Sequence, residues 1–318
     1  DDGTDVIAKG EQRGLNFLLS KLTLDKLNRT KSAFNDSAIK HANWWIISAI
    51  KDRWNQLISG NPQVPYEEFM MNGHFKDKKN LRLLSIGSGS CSHELKLASY
   101  ANFKEILCVD IADNRLSEAK KIAQHQNLNN ISFICANALE YPFESTFDIV
   151  FFHSSLHHFN NISTLMPSKI IPLLKPNGHL VINEYVGPTR LQQPKLQIQA
   201  INQGLKMIPL KFRNRYQTGW IKNRYTGSGL IRMILADPSE CIDSASILPT
   251  IHTYFDTIDE RPYGGNILMH VLKDISHHFT ELNSEKNQIL NSLFKFEDEY
   301  LKDESSDFVF GIYQLKKN

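Results

Sequence analysis

Two glycines and one aspartate carry the first recognisable chemistry of the chain. Gly87-Ser88-Gly89-Ser90 interrupts the apolar run of Leu81, Leu83, Leu84 and Ile86. Glycines there permit positive φ and let a ligand lie against the backbone. Asp110 follows Gly89 by 21 residues and closes a second apolar run, Ile106 to Val109. A carboxylate in that place can accept both hydroxyl hydrogen bonds of a ribose, while the helix between the runs turns its unpaired N–H groups toward the glycines. The pattern predicts nucleoside binding. Further along, His153, His157 and His158 fall within six positions. Histidine accepts a proton near neutral pH, so His157 or His158 is the candidate base, with Glu184 a further catalytic candidate. Tyr185, Arg190 and Tyr263 are the expected acceptor contacts. No carboxylates cluster at a strand edge, so no metal is expected.

These residues need a sheet to hold them. Short apolar runs at Leu81–Ile86, Ile106–Val109, Ile131–Cys135, Phe147–Phe152 and His179–Asn183 read as strands. Helical spacing separates them, with Glu94, Leu95, Leu97 and Ala98 in one segment and Leu116, Ala119, Ile122 and Ala123 in another. A helical connection from Ser163 to Leu174 stops at Lys175-Pro-Asn-Gly178. The alternation predicts a Rossmann-like, doubly wound α/β sheet whose strand ends share one edge. His252–Ile258 is the expected sixth strand and Asp307–Leu315 the seventh. Helices are expected over Asn266–His278 and Glu281–Leu301. Residues 1–79 read as a helical cap, with its strongest helix from Ser37 to Ser59 and an irregular apolar face from Leu15 to Leu27. Residues 80–318 form the main domain.

The span from Leu81 to Asn183 resembles the class I S-adenosylmethionine-dependent methyltransferases. The resemblance is carried by the Gly87/Gly89 turn, Asp110, Asn137-Ala138 after the third strand, and FDIVFFHSSLHHF at the fourth. LLKPNGHLVINE continues it, and EYVGPTR and RPYGGNILMH look like a bacterial branch of such enzymes. It implies a seven-stranded sheet with six parallel strands and an antiparallel last one. It also implies a cofactor, S-adenosylmethionine, leaving as S-adenosylhomocysteine. Gly87, Ser88 and Gly89 would face its methionine portion, Asp110 and Ile111 its ribose side, Asn137, Ala138 and Leu139 its adenine. His153 and Ser154 would border the sulfonium. The family pattern has an acid and a glycine where this chain has Ser85 and Cys91. Ser85 can still orient the turn by hydrogen bonding, and Cys91 is small.

The segment 186–236 is a helical insertion after strand five with nine basic residues and no acidic one. It is either a solvated face balanced by acids elsewhere or a lid that draws in an anionic acceptor. The expected acceptor is a small anionic or glycosidic metabolite of a biosynthetic pathway, free or carrier-bound, with oxygen favoured over nitrogen or carbon. A non-catalytic cofactor-binding scaffold is one alternative, and a nicotinamide-dependent oxidoreductase another, although its G-x-G-x-x-G fingerprint would need glycine where Ser92 stands. A net charge of +2 gives no global field toward nucleic acid. Four cysteines lack metal or redox spacing, and Cys108 and Cys135 in strand runs suggest buried thiols in a reducing, cytoplasmic setting. No apolar run reaches membrane-spanning length, and no signal-peptide pattern is present.

Overall fold

Side-chain alternation along each strand decides which layer a residue joins. In the computed structural model, which describes residues 43–317, β1 (Leu81–Ile86) sends Leu83 into one core and Leu84 and Ile86 into another. The remaining strands are β2 (Phe103–Asp110), β3 (Ile131–Cys135), β4 (Phe147–His153), β5 (Leu174–Tyr185), β6 (Phe255–Gly264) and β7 (Phe308–Leu315). They form one seven-stranded sheet in the order β3-β2-β1-β4-β5-β7-β6. The pairs from β3 to β5 are parallel, whereas β7 runs antiparallel to both β5 and β6. This is the doubly wound sheet expected from the sequence, and its strand order reverses beside β1, where ligands of such sheets bind.

Helices α1 (Ser48–Ser59) and α2 (Tyr66–Asn72) precede the sheet. Helix α3 (Ser92–Ala98) follows the glycine turn, and α4 (Asp113–His125) follows Asp110. Between β4 and β5 the chain makes α5 (Ile162–Leu165), a π-turn (Met166–Ile170) and a 3-10 turn (Ile171–Leu173). Pro167 and Pro172 lack the N–H groups of a regular helix, which accounts for this mixture. The insertion contributes α6 (Lys195–Lys206) and α7 (Leu230–Ala236). Helices α8 (Ile247–Tyr254), α9 (Leu268–Leu272) and α10 (Ser284–Tyr300) complete the described fold. A third core joins Trp44, Ile47 and Ile50 from the N-terminal side to Ile201 and Leu205 of α6 and Leu290 and Leu293 of α10.

Several expectations shift. His252–Tyr254 is helical, because Ile247 and Ile251 stack one turn apart on a buried face; β6 starts only at Phe255 and runs through a bulge at Pro262. Strand β5 begins at Leu174, which pairs with Phe147, so Lys175–Gly178 kinks the strand instead of preceding it. The helix expected over Asn266–His278 breaks into α9 and a 3-10 turn, Ser276–Phe279, around Asp274 at φ 68°. Cys108 is buried but Cys135 is exposed, since β3 is an edge strand. The apolar face from Leu15 to Leu27, and the start of the helix expected from Ser37, lie outside the described residues. No described helix is long and apolar enough to cross a membrane.

One buried carboxylate joins the last helix to the turn between β6 and α9. Glu297 Oε1 accepts the N–H groups of Gly265, Ile267 and Leu268, and Oε2 lies 3.6 Å from Arg53. Burial pushes its pKa up, opposed by those N–H groups and by Arg53. Replacing Glu297 by Ala strands three buried donors and is expected to cost about 2–4 kcal/mol in urea denaturation, with Gln costing less.

Candidate functional site

The glycine turn is closed by the aspartate that the spacing singled out. Asp110 Oδ2 accepts the Gly89 N–H at 2.7 Å and Oδ1 accepts the Ala112 N–H at 2.7 Å. Gly87 (φ 70°) and Gly89 (φ 54°) hold left-handed backbone that a side chain would strain. A Cβ on Gly87 would also meet the Ser155 Cβ at 2.7 Å. Ser155 in turn donates its hydroxyl to the Ile86 carbonyl at 2.7 Å, so the loop after β4 is latched onto the turn. Cys91 is buried at φ 53° just before α3, a position whose backbone conformation suits the glycine of the family pattern.

Position 85 lacks the family's acid, and the structure supplies one from elsewhere. Ser85 Oγ donates to Glu94 Oε1 at 2.6 Å, and Glu94 Oε2 is buried without a hydrogen-bond partner. Burial raises the Glu94 pKa against the pull of His93 and Ser85. In the loop after β3, where the adenine is expected, Asn137 Oδ1 accepts the Leu139 N–H at 3.1 Å. Ala138 and Leu139 line an apolar cavity of about 190 Å³ with Ile86, Phe143 and Ile170. Ile111, half-buried, sits between Asp110 and the start of α4.

The ends of β4 and β5 carry a buried polar chain. His153 Nδ1 shares a hydrogen bond with the Tyr66 hydroxyl at 3.0 Å, and Tyr263 donates to Asn183 Oδ1 at 2.6 Å. His153 and Asn183 are register partners across β4 and β5, and Tyr66 also reaches Asn183. His93 from α3 lies against His153 with ring centroids 3.7 Å apart, steered by Glu67 Oε1 at 2.7 Å from its Nδ1. Burial, helped by His93 and Lys96, holds the His153 imidazole well below the ordinary histidine range. Ser154 follows at φ 48°, its N–H donating to the Asn183 carbonyl. Tyr66, Glu67 and His93 had no distinguishing mark in the sequence; only the Pro65 stop and the packing of α2 bring them here.

The other expected site residues gather elsewhere. Glu184 is fully buried: Oε1 accepts the N–H groups of Ser155 and Leu156, and Oε2 sits 2.7 Å from His157 Nδ1. Both oxygens are therefore committed to the loop after β4. Burial depresses the His157 pKa but Glu184 outweighs it, leaving a net rise. His158 Nδ1 meets Ser239 Oγ at 3.1 Å, and burial beside His157 lowers its pKa. Tyr185 is buried and donates to the Pro188 carbonyl, and Arg190 donates to the Glu240 carbonyl at 3.1 Å. Of the three expected acceptor contacts, Tyr263 alone joins the polar chain at the strand ends. Much of the insertion's positive charge is used internally: Lys222 is buried and donates to the carbonyls of His270, Val271 and Lys273, Arg213 to those of Ile208 and Lys206, and Lys211 pairs with Glu285. Lys195, Lys206 and Arg224 stay exposed.

Fold and strand-edge geometry define a nucleoside-binding doubly wound domain of the methyltransferase type. Residues 77–227 match the family model of a methyltransferase domain. The demethylmenaquinone methyltransferase of Lactococcus lactis subsp. lactis (strain IL1403) is 28% identical over 146 residues, which are 45% of this chain and 57% of that relative. The chain thus spans little more than half the length of that curated relative. Among solved structures, the geranyl diphosphate C-methyltransferase from Streptomyces coelicolor A3(2) aligns over 93% of this chain and 99% of its own, with 11% identity and a TM-score of 0.55, a likeness of fold. Residues 77–227 therefore carry a methyltransferase domain, and the sheet has the strand order of the Rossmann-like methyltransferases. The domain match favours methyl transfer over the nicotinamide reading. The residues present fit the family's cofactor, S-adenosylmethionine: a turn without side chains, a carboxylate at the ribose position and an unpartnered buried carboxylate oxygen beside the turn.

Because native His153 stays neutral while an unfolded histidine titrates near pH 6.5, the unfolded state binds the extra proton as pH falls. Stability therefore declines on acidification below about pH 6.5, and His153→Gln should make that decline shallower. Urea midpoints from pH 7 to 5 for the two proteins measure it; equal slopes would contradict a neutral His153.

Proposed function

We propose that this chain methylates a small anionic or glycosidic metabolite of a biosynthetic pathway, using S-adenosylmethionine and favouring an oxygen acceptor. The observation that carries the reading is the buried chain Tyr66–His153–Asn183–Tyr263 at the strand ends beside the glycine turn. Bound there, S-adenosylmethionine supplies an electrophilic methyl group on a sulfonium. Gly87, Ser88 and Gly89 give the methionine portion a backbone to lie against, and Asp110 keeps lone pairs for the ribose hydroxyls beyond its two N–H partners. Glu94 Oε2 offers the methionine ammonium the carboxylate that position 85 lacks. Asn137, Ala138 and Leu139 shape the adenine side.

At the acceptor side, the work is alignment and exclusion of water. Tyr66 and Phe310 pack over one another, and α2 covers the strand ends. Neutral His153, linked to Tyr66, can take the proton that a hydroxyl acceptor loses as the new C–O bond forms. An anionic acceptor is supported by the acid-free insertion, in which Lys195, Lys206 and Arg224 stay exposed.

Calorimetric titration with S-adenosylhomocysteine tests the cofactor reading. Micromolar binding, on the order of −8 kcal/mol, is expected, weakened about tenfold or more in Asp110→Ala. An absence of binding by the wild type would leave a scaffold role in front. A screen of hydroxyl, amine and carbon acceptors, read by S-adenosylhomocysteine release, then tests the acceptor. Tyr66→Phe and His153→Asn should lower kcat about 10²-fold on a hydroxyl acceptor with cofactor affinity kept. Turnover confined to amine or carbon acceptors would overturn the oxygen assignment.

A further inference from the structure

The turn after β4 and the segment that returns from the insertion meet in a cluster that the methyl-transfer reading does not use. His157 and His158 are neighbours on the 3-10 turn Leu156–His158, and Glu240 comes from the segment leading into α8. One ligand atom from each of the three lies within 4.8 Å of the others. Bonds of 2.0–2.2 Å to a tetrahedral divalent ion place ligand atoms about 3.4 Å apart, so closure needs side-chain shifts of little more than about 1 Å.

The second layer around the cluster is already in place. Metal-bound histidines almost always use their other ring nitrogen on a carboxylate, carbonyl or hydroxyl, which fixes the tautomer and the ring plane. Here His157 Nδ1 is held by Glu184 Oε2 at 2.7 Å, which leaves Nε2 to ligate. His158 Nδ1 is held by Ser239 Oγ at 3.1 Å, and Ser239 donates onward to Asp237 Oδ1 at 2.6 Å. Cys241 donates its thiol to Glu240 Oε1 at 3.5 Å. Three carboxylates, Glu184, Glu240 and Asp237, surround the cluster, opposed by the Arg190 guanidinium on the Glu240 carbonyl and by Lys273 nearby. His157 is buried while His158 and Glu240 are half-buried, so the cluster opens toward solvent on one side.

We propose that His157, His158 and Glu240 form a binding site for one divalent transition-metal ion of the zinc type. Two imidazoles and one carboxylate are a donor set for Zn²⁺, Fe²⁺ or Mn²⁺ in preference to Mg²⁺ or Ca²⁺, and three protein ligands leave a position for water or an acceptor oxygen. The ion would tie the segment around Glu240 to the loop that carries Ser155 and His157. Such a site departs from the sequence expectation of no metal, because its ligands come from the turn after β4 and a distant return segment, not from a carboxylate cluster.

Chelator-treated full-length chain titrated with Zn²⁺ by calorimetry tests the site, with Co²⁺ absorption as an independent readout of ligand geometry. One equivalent of Zn²⁺ is expected per chain, with affinity lowered at least about 100-fold in His158→Ala and in Glu240→Gln. Ser239→Ala, which leaves all three ligands and perturbs the fold least, is expected to weaken binding about tenfold. Wild-type binding no tighter than in all three variants, with no Co²⁺ absorption band, would overturn the site and place any zinc on surface histidines.

Discussion

The Glu184 carboxylate is the constraint on which the functional edge depends. A fully buried carboxylate is tolerated only when its oxygens are satisfied. Glu184 meets that demand with two consecutive backbone N–H groups and one imidazole, all from the loop after β4. The same loop presses Ser155 against Gly87 and bonds it to Ile86. One side chain on β5 therefore sets the loop after β4, and that loop sets the turn after β1. Position 184 is thus linked to the cofactor side through contacts, with no need to touch a ligand.

The polar chain of Tyr66, His153, Asn183 and Tyr263 answers the same demand differently. Each buried hydroxyl, amide or imidazole has its partner among the others, so the strand ends stay polar inside an apolar surround of Phe151 and Phe310. The cap supplies one end of this chain through α2, and β6 supplies the other through Tyr263. The basic insertion shows how charge counted along a sequence overstates charge available to a ligand. Lys222 spends its ammonium on three carbonyls, and Arg213 its guanidinium on two.

The parallel half of the sheet was legible because buried strands there are short continuous apolar runs bounded by turn residues. Asp110 was legible for the same reason, since the end of such a run fixes where its carboxylate lies. Strand β6 was not: Asp256, Thr257 and Ile258 face outward at an exposed edge, and the apolar residues just before them belong to α8. The helical spacing of Ile247 and Ile251 was the signal available there. Glu94 was readable only as one more residue of an amphipathic helix. Its pairing with Ser85 depends on the helix entering at the angle that Cys91 sets. Tyr66, His93 and Glu240 owe their places to packing between distant segments, which no local pattern encodes.

Strand β7 follows every other strand in the chain and yet lies between β5 and β6. A chain made from its N-terminus outward can therefore build the glycine turn, Asp110 and the Glu184 latch while β6 still has no neighbour to pair with. Tyr263 can take its place against Asn183 only after β7 arrives, because β7 is the bridge between their strands. Taking β7 away would therefore part Tyr263 from Asn183, while the glycine turn and Asp110 keep their own contacts.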